Sequence, residues 1–419
     1  MLSEESQSSF RSHSSRGCHG RKGCGTRAWL AALFFGLSIH FSLFRTPLAA
    51  QDEGLVFSIG VLRQLPEPPA WETAFTRPPE DDGIAGARLA VQDNSTTGSF
   101  LNQKFELTVE VVEPGGDLTE AFERLSAAGI EYLLIDVPAD DLLALADQAP
   151  EGMLLFNVGA RDDRLRNEDC RLNVFHSAPS RSMLTDALAQ YLVWKRWTDW
   201  LLITGQNPGD DLYAEAVKGS AEKFGARIVE ERIWAFGPDT RRQAQAEVPV
   251  FTQSVDYDIA VIADEQGEFG DLIIYRTWDP RLTAGTQGLT PTAWHPAIEA
   301  WGAVQLQNRF IRLASRRMGA LDYQYWVAAR AIGEAATVVQ KNEVAAIREH
   351  LLSDDFSMAA FKGVPLSFRK WDRQLRQPIP LAHPASLVST SPQEGFLHQR
   401  TPLDSLGRDE PETGCQHPG

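Results

Sequence analysis

The sequence contains few of the residues and motifs on which enzymes and metalloproteins depend. It has 9 histidines and 4 cysteines among 419 residues, and the histidines beyond residue 50 are scattered without the short spacings that hold a metal ion. It also lacks the nucleophile elbow of hydrolases, the phosphate-binding loop, the dinucleotide-binding glycine pattern and the zinc-protease motif. An enzyme therefore ranks last among the functions we consider.

A positive charge balance is missing as well. The chain carries 56 acidic and 40 Lys or Arg residues, which gives a formal net charge of −16. Such an acidic surface repels nucleic acid and anionic lipid, so neither is expected as a partner. Acidity alone does not indicate a cation site, because acidic residues also keep proteins in solution.

Only one apolar run approaches membrane-spanning length, and it lies near the N-terminus. A Ser-rich and arginine-containing stretch, residues 1–27, precedes the apolar residues 28–44. This order is typical of a signal sequence, and we expect cleavage near Ala50 after export. A retained anchor is the alternative, although the run is short for a bilayer span. No membrane span is expected in the mature chain.

Removal of residues 1–50 leaves two cysteines, Cys170 and Cys415. An even pair in an exported chain predicts a disulfide, and two unrelated thiols are the alternative. On the chain-entropy model a bond closing so long a loop stabilises the fold by roughly 5 kcal/mol, less any native strain.

From Leu55 the chain alternates strands with helices, which indicates parallel sheets covered by helices. The first series has predicted strands at 55–62, 105–111, 132–137 and 153–158 and helices at 83–93, 118–128 and 141–148. Asn94 to Gly98 are expected to end the first helix. The second series has predicted helices at 182–196 and 211–224 and strands at 200–204, 227–235, 258–263 and 272–278. Long helices are predicted at 297–318, 322–340 and 342–352.

Five residues in loops or near strand ends are candidate ligand contacts, because open α/β sheets bind ligands beyond the carboxyl ends of their strands. Asp140 follows the third strand, but capping of the next helix and the helix dipole already explain it and are the favoured interpretation. Arg161 follows the fourth strand and offers a guanidinium to an anion, with a surface ion pair as the alternative. Glu265 follows a strand of the second series. Trp71 and Trp278 provide rings that can close over a ligand.

Residues 83–94 read GIAGARLAVQDN and lie between a buried strand and an alternating one. This arrangement resembles the start of substrate-binding proteins of ABC importers of the branched-chain amino acid type. The resemblance continues through Val174–Ser180 (VFHSAPS) and Asp256–Ile262 (DYDIAVI) and covers most of residues 55 to 390. It implies an α/β fold of two Rossmann-like lobes with parallel sheets, joined by three crossing strands, with the ligand in the cleft. It also implies a periplasmic location.

The resemblance further implies a division of the chain after the signal sequence. Residues 51–176 and about 297–375 are expected to form the first lobe, residues 177–296 and about 376–390 the second, and residues 391–419 a C-terminal tail.

Within that family the chain is most similar to the branch whose genes accompany pyrroloquinoline-quinone-dependent alcohol dehydrogenase systems. The similar segments are Tyr275–Pro280 (YRTWDP), Pro291–His295 (PTAWH), Phe368–Pro378 (FRKWDRQLRQP) and the tail from Leu403–Gly407 (LDSLG) to Cys415. The leading expectation is a solute-binding component that serves an ABC permease and needs no cofactor. The alternative is an accessory protein that carries a cofactor or metal for the dehydrogenase, or contacts it.

The chain departs from the family where the ligand is expected. Amino-acid binders of the family use small hydroxyl residues after the third and fourth strands to hold a carboxylate. Here those positions read Val137–Asp141 (VPADD) and Gly159–Asp163 (GARDD), so an amino acid is not the expected ligand. The loop after the first strand is a long Pro-rich segment that contains Trp71, Phe75 and Arg77.

Overall fold

The computed structural model describes residues 54–69, 71–72, 77–235 and 240–415. The expected signal sequence and Phe75 lie outside these residues. Among the helices that the structure describes, none is both long and apolar enough to cross a membrane.

The first lobe is built on a parallel sheet with the strand order β2-β1-β3-β4-β5. Its strands are β1 (Leu55–Gln64), β2 (Gln103–Val112), β3 (Tyr132–Asp136), β4 (Leu154–Asn157) and β5 (Val174–His176). The helices between them are α1 (Ile84–Gly98), α2 (Leu118–Ala127) and α3 (Ala139–Gln148). Asp117 caps α2 by accepting the N–H of Glu120 at 3.0 Å. Both faces of the sheet are covered, which explains the continuous apolar run of β1.

The second lobe repeats this plan with a parallel sheet in the order β7-β6-β8-β9. Its elements are α4 (Arg181–Trp194), β6 (Asp199–Thr204), α5 (Pro208–Phe224), β7 (Arg227–Ile233), α6 (Thr240–Thr252), β8 (Ile259–Ala263), α7 (Gly270–Ile273) and β9 (Leu282–Gly285). The two α/β lobes with parallel sheets that the sequence predicts are thereby confirmed.

The rest of the chain packs against both lobes. It contains β10 (Thr290–Pro291), α8 (Ala303–Ala314), α9 (Ala320–Val339), α10 (Val344–Leu351), β11 (Met358–Ala359), β12 (Pro365–Phe368), β13 (Leu375–Arg376), β14 (Ile379–His383) and β15 (Ser386–Ser391). Buried side chains of α8, α9 and α10 share one core with β1 and β3. Ile379 and Leu381 instead join the core of the second lobe around α4 and β6.

The small residues of α1 allow a close approach to α9. A Cβ on Gly86 would lie 1.9 Å from the carbonyl oxygen of Asp322, and one on Gly333 would lie 2.1 Å from the Asn94 side chain. Asn94 is buried and donates from Nδ2 to the carbonyl of Ala329 at 2.8 Å. The expected helix stop at Asn94 is therefore wrong, because α9 supplies the partner that Asn94 would otherwise find in a turn.

The strand expected at 272–278 is also wrong. Asp264, just after β8, accepts the N–H groups of Phe269 at 2.9 Å and Gly270 at 2.7 Å. These bonds fix the start of the short helix α7, so Leu272 and Ile273 of the expected strand are helical. The last strand of the sheet, β9, begins only at Leu282.

The chain passes between the lobes after β5, after β10 and between β13 and β14. Two of these crossings are hydrogen-bonded together, because Gln377 donates from Nε2 to the carbonyl of Ser177 at 2.8 Å. The buried amine of Lys362 donates to Gln377 Oε1 at 2.6 Å and to the carbonyl of Pro378 at 3.0 Å. Burial lowers the pKa of Lys362 well below its usual value.

The C-terminal segment is attached at several points. Cys170 and Cys415 form a disulfide with their Cα atoms 5.7 Å apart, as predicted. The buried carboxylate of Asp404 accepts from Nε of Arg369 and Nε of Arg376, both at 2.8 Å. The N–H of Gly407 donates to Asp186 at 2.9 Å. Segments Phe368–Pro378 and Leu403–Gly407, which carry part of the resemblance, thus contact each other.

Candidate functional site

The carboxyl ends of the strands in the two sheets supply one group of loops from each lobe. In the first lobe β1, β3 and β4 end at Gln64, Asp136 and Asn157. In the second lobe β6 and β8 end at Thr204 and Ala263. Because ligands of open α/β sheets bind beyond these ends, the loops that follow these five strands, together with the loop after β9 (Leu282–Gly285), define the candidate site.

On the first lobe, Asp136 is the centre of a polar group. Its Oδ2 lies 3.3 Å from Nε of Arg63 and accepts the hydroxyl of Tyr325 at 3.1 Å. Burial raises the pKa of Asp136, while Arg63, the Tyr325 hydroxyl and Arg161 oppose the rise. Arg63 also donates to the carbonyl of Asp82.

A second carboxyl, that of Asp82, lies beside this group. Burial is the main cause that raises the pKa of Asp82 to about 6, and the nearby charge of Asp322 adds to it. Arg63 and Arg316 oppose the rise. Asp82 is consequently a weak acid that changes its charge near neutral pH.

Arg181, at the start of α4, links the loops of the two lobes. Its Nε and Nη2 donate to Glu265 at 3.0 and 2.7 Å, while Nη1 donates to Asp162 at 3.0 Å. Burial lowers the pKa of Arg181, but the bonds to Glu265 and Asp162 outweigh burial and raise it. The next residue, Ser182, donates its N–H to Asp163 at 3.1 Å. The acidic pair that follows β4 thus holds the start of α4.

On the second lobe, Tyr213 lies near Glu265. Its hydroxyl is buried and has no hydrogen-bond partner among the described residues. Burial raises the pKa of Tyr213, Glu265 adds to this rise, and Arg161 opposes it. The charge of Arg161 thus lowers the pKa of a group on each lobe, Asp136 on the first and Tyr213 on the second.

The loop after β9 provides a neutral side chain at the same edge. Gln287 donates from Nε2 to the carbonyl of Asp264 at 2.9 Å and accepts the hydroxyl of Thr286 at 2.5 Å. These two bonds hold the amide group of Gln287 beside the loop that carries Glu265.

Three of the five candidate residues, Trp71, Arg161 and Glu265, lie at the carboxyl ends of the strands. Trp71 belongs to the Pro-rich loop of the first lobe, yet its ring lies against the second lobe: a Cβ on Gly267 would be 3.5 Å from it. The indole N–H of Trp71 is buried and has no partner among the described residues. Arg161 is exposed, and in the described part of the chain it forms no ion pair through its guanidinium. Glu265 is held by Arg181.

The other two candidates lie elsewhere. The Asp140 side chain is 88% exposed and forms an ion pair with Arg164 on the surface. Its place in the first turn of α3 agrees with the helix-dipole explanation. Trp278 precedes β9 and so lies near the amino ends of the strands, away from the candidate site. Its backbone N–H donates to Thr252 Oγ1 at 2.8 Å. The strand predicted at 272–278 would have ended at Trp278, which is why this residue was selected.

Sequence reasoning missed several residues of the site, namely Arg63, Asp82, Asp136, Arg181, Tyr213 and Gln287. Arg63 and Asp136 stand at strand ends and could have been found by the position rule that selected Arg161. Tyr213 lies within the helix α5, and nothing in the sequence marks it. Across the described residues, no group of three or more His, Cys, Asp or Glu side chains is arranged to hold a metal ion.

No family model matches the chain, and no curated protein matches it in sequence. Solved structures do match. One is a branched chain amino acid ABC transporter periplasmic ligand-binding protein from Burkholderia xenovorans, with a TM-score of 0.68, 14% identity and coverage of 86% of this chain and 99% of that one.

Two further structures are similar over the same length. The leucine-, isoleucine-, valine-, threonine- and alanine-binding protein from Brucella ovis has a TM-score of 0.64 at 14% identity, with 87% and 99% of the two chains covered. A solute binding protein of an ABC transporter from R. palustris, in complex with benzoate, has a TM-score of 0.60 at 14% identity, with 86% and 100% covered. At this identity the similarity shows the fold, which is that of periplasmic binding proteins.

Proposed function

We propose that the protein is a periplasmic solute-binding component of an ABC importer. It closes its lobes over a small organic molecule and presents that molecule to a membrane permease. The fold supports this proposal, as does its similarity to binding proteins of ABC transporters. The signal-like N-terminus supports the periplasmic location.

One observation carries the proposal: loops from the carboxyl ends of both sheets meet at the same place. Arg181 joins Asp162 of one lobe to Glu265 of the other, and Trp71 reaches from the first lobe to Gly267 of the second. A solute between these loops contacts both lobes, which is the condition for a ligand to favour a closed state.

Within this cleft we propose Trp71, Arg161 and Glu265 as residues that shape the ligand site. Arg161 and Trp71 have groups free to contact a solute, whereas Glu265 acts through Arg181. Asp140 and Trp278 are left out because of their positions at other surfaces. No catalytic role is assigned to any of these residues, and the proposed function requires no cofactor.

A solute screen tests the proposal. The mature chain is heated with amino acids, alcohol-oxidation products and other organic acids, with the quinone cofactor, and with multivalent metal ions. A solute at one hundred times its Kd stabilises the folded state by about 2.7 kcal/mol. A rise in melting temperature with organic solutes alone is expected. A rise with the quinone or a metal alone would favour the accessory role, and no rise with any compound contradicts both.

The link to a quinone-dependent alcohol oxidation system is a second, finer proposal. One observation favours it: two of the segments similar to that branch border cavities away from the cleft. Lys370, Trp371 and Arg376 line a cavity of about 810 Å³ beside the C-terminal segment, and Tyr275 and Thr277 line a groove of about 760 Å³. Tyr275 is 86% exposed and Trp278 is 60% exposed. Exposed aromatic residues of this kind are suited to contact with another protein.

Binding of the purified protein to an immobilised quinone-dependent alcohol dehydrogenase tests this link. If the exposed aromatic residues form the contact, the double variant Tyr275→Ala and Trp278→Ala weakens binding at least tenfold. The control variant Phe100→Ala removes an equally exposed ring elsewhere and leaves binding unchanged. No binding by the unchanged protein would remove the support for an accessory role.

A further inference from the structure

We infer that the cleft selects organic anions that carry a carboxylate but no ammonium group. The inference rests on the proposed function and names the class of solute for the same site. It follows from which charged groups at the cleft already have partners and which do not.

In the part of the cleft that the structure describes, Arg161 is a cation available to a solute. The neighbouring loop is packed tightly, because a Cβ on Gly159 would lie 1.8 Å from Asp136 Oδ1. Gly159 therefore lies directly against Asp136 at the strand ends. The carbonyl of Arg161 accepts the N–H of Arg181 at 2.9 Å. The backbone of Arg161 is thus fixed while its side chain remains exposed. A guanidinium so placed binds a carboxylate through two parallel hydrogen bonds.

The carboxylates of the cleft are occupied by other partners. Glu265 accepts two hydrogen bonds from Arg181 and Asp162 accepts one. Asp136 is paired with Arg63 and the Tyr325 hydroxyl. Asp163 accepts the N–H of Ser182 at 3.1 Å, and Glu268 accepts from Nδ2 of Asn207 at 3.3 Å. Asp82, a further acid of this region, lies near the charges of Arg63 and Arg316, and burial raises its pKa to about 6.

The loop after β9 offers the neutral Gln287 where an acidic side chain would have provided a negative charge for an ammonium group, and the amide oxygen of Gln287 already accepts the Thr286 hydroxyl. Within the described part of the cleft, a ligand ammonium group would therefore meet a cation that has no ion pair, Arg161, and no carboxylate that lacks a hydrogen-bonding or charged partner. Burial of a charge without a partner is costly, and Arg161 would repel the ammonium group. An amino acid is disfavoured relative to the same molecule without its amino group.

Two further donors fit the anion. The Tyr213 hydroxyl and the Trp71 indole N–H are both buried and without partners among the described residues. An ionised carboxylate has about four acceptor positions, so it can accept from these donors as well as from Arg161. Trp71 also presents a flat apolar ring, which suits an aromatic or branched apolar body.

Matched pairs of probes test the inference by isothermal titration calorimetry on the mature chain. The pairs are 3-phenyllactate with phenylalanine and 2-hydroxyisocaproate with leucine, and benzoate is compared with benzamide. Within each of the first two pairs the ammonium group is replaced by a hydroxyl group. We expect the acid to bind at least tenfold more tightly than the amino acid, and benzoate more tightly than benzamide.

Variants of Arg161 show whether the charge of this residue is responsible. Arg161→Gln should weaken binding of the acids at least tenfold, and Arg161→Lys should retain part of the affinity because it keeps the positive charge. Arg164→Gln is the matched control, since Arg164 lies in the same segment but is paired with Asp140 and Asp169 on the surface. Both Arg161 variants should melt close to the unchanged protein, because Arg161 has no ion pair to lose in the described structure.

The outcomes separate the inference from the proposed function. Tighter binding of acids that depends on Arg161 supports the inference. Equal or tighter binding of amino acids, or acid binding that is unaffected by Arg161→Gln, overturns it and leaves a solute-binding function in place. If no organic solute of the wider screen binds, both the inference and the proposed function fail.

Discussion

Asp82 and Asp81 are adjacent acids at the start of α1 with different surroundings. Asp81 Oδ1 lies 2.9 Å from Nε of Arg316. The pKa of Asp82 rises to about 6, first because of burial and then because of Asp322. The folded state therefore binds the Asp82 proton more tightly than the unfolded chain does, so ionisation of Asp82 works against folding.

Replacement of Asp82 by Asn should stabilise the protein in a pH-dependent manner. The contribution of Asp82 to stability is fully present below about pH 4 and is lost as the pH rises through about 6. Asp82→Asn should thus raise the free energy of unfolding by about 1 to 3 kcal/mol at pH 7.5, since one pKa unit corresponds to about 1.4 kcal/mol. Urea unfolding between pH 4.5 and 8 measures the difference, which should shrink toward the acidic end.

Asp81→Asn is the control for this experiment. It removes one partner of Arg316, so the free energy of unfolding should fall by up to about 1 kcal/mol. A pH-independent effect of Asp82→Asn, or a loss of stability at pH 7.5, would show that Asp82 is not held as a weak acid.

Among single residues, the sequence predicted part of the candidate site. Arg161 and Glu265 were found because each follows a strand. Arg181 was missed because its role depends on Glu265, which is 84 positions away in the chain. Trp278 was expected at the end of a strand because residues 272–278 were assigned as a strand. The strand β9 begins only at Leu282, so Trp278 precedes it.

Among the elements, α1 and α9 approach each other closely. Their contact depends on Gly86 and Gly333, each of which lies against atoms of the other helix. The sequence predicted a helix at 83–93 but not the helix against which its small residues pack. The real partner begins more than 200 residues later, and no local pattern indicates it.

Gly86→Ala should destabilise the protein more than Gly333→Ala. In Gly86→Ala the new methyl group meets backbone atoms of Asp322, which move only if a helix moves, whereas in Gly333→Ala it meets the side chain of Asn94. Overpacking of this kind costs about 1 to 3 kcal/mol, and more where backbone must shift. Chemical denaturation of both variants provides the measurement.

Gly219→Ala is the matched control. Gly219 lies inside α5, and a Cβ there meets no atom within 4 Å. Alanine should therefore stabilise α5 by about 0.5 to 1 kcal/mol. The packing explanation is wrong if all three alanine variants change stability in the same direction.

For the molecule as a whole, the C-terminal segment connects parts distant in sequence. The disulfide joins residues 245 positions apart, and Asp404 is buried between Arg369 and Arg376. The parity of the cysteines predicted the disulfide. The ion pairs of Asp404 were not predicted, because the sequence alone does not show which acid of the tail faces which arginine.

Loss of the disulfide should lower stability without unfolding the chain. The double variant Cys170→Ser and Cys415→Ser should melt at a lower temperature, with a loss of free energy below the roughly 5 kcal/mol of the chain-entropy model. Asp404 and Gly407 continue to hold the segment in place. Calorimetry of the variant measures the loss, and peptide mapping of the unchanged protein without reductant should find the two cysteines linked. Two free thiols would contradict the assignment.

Hydrogen–deuterium exchange tests the cleft as the ligand site most directly. The mature protein is compared alone and saturated with the solute of the screen that binds most tightly. We expect slower exchange in loops of both lobes, at residues 159–163 of the first lobe and at residues 264–268 and 286–288 of the second. Protection confined to one lobe, or to residues 398–410 beside the cavity that Trp371 and Arg376 line, would contradict a ligand site in the cleft.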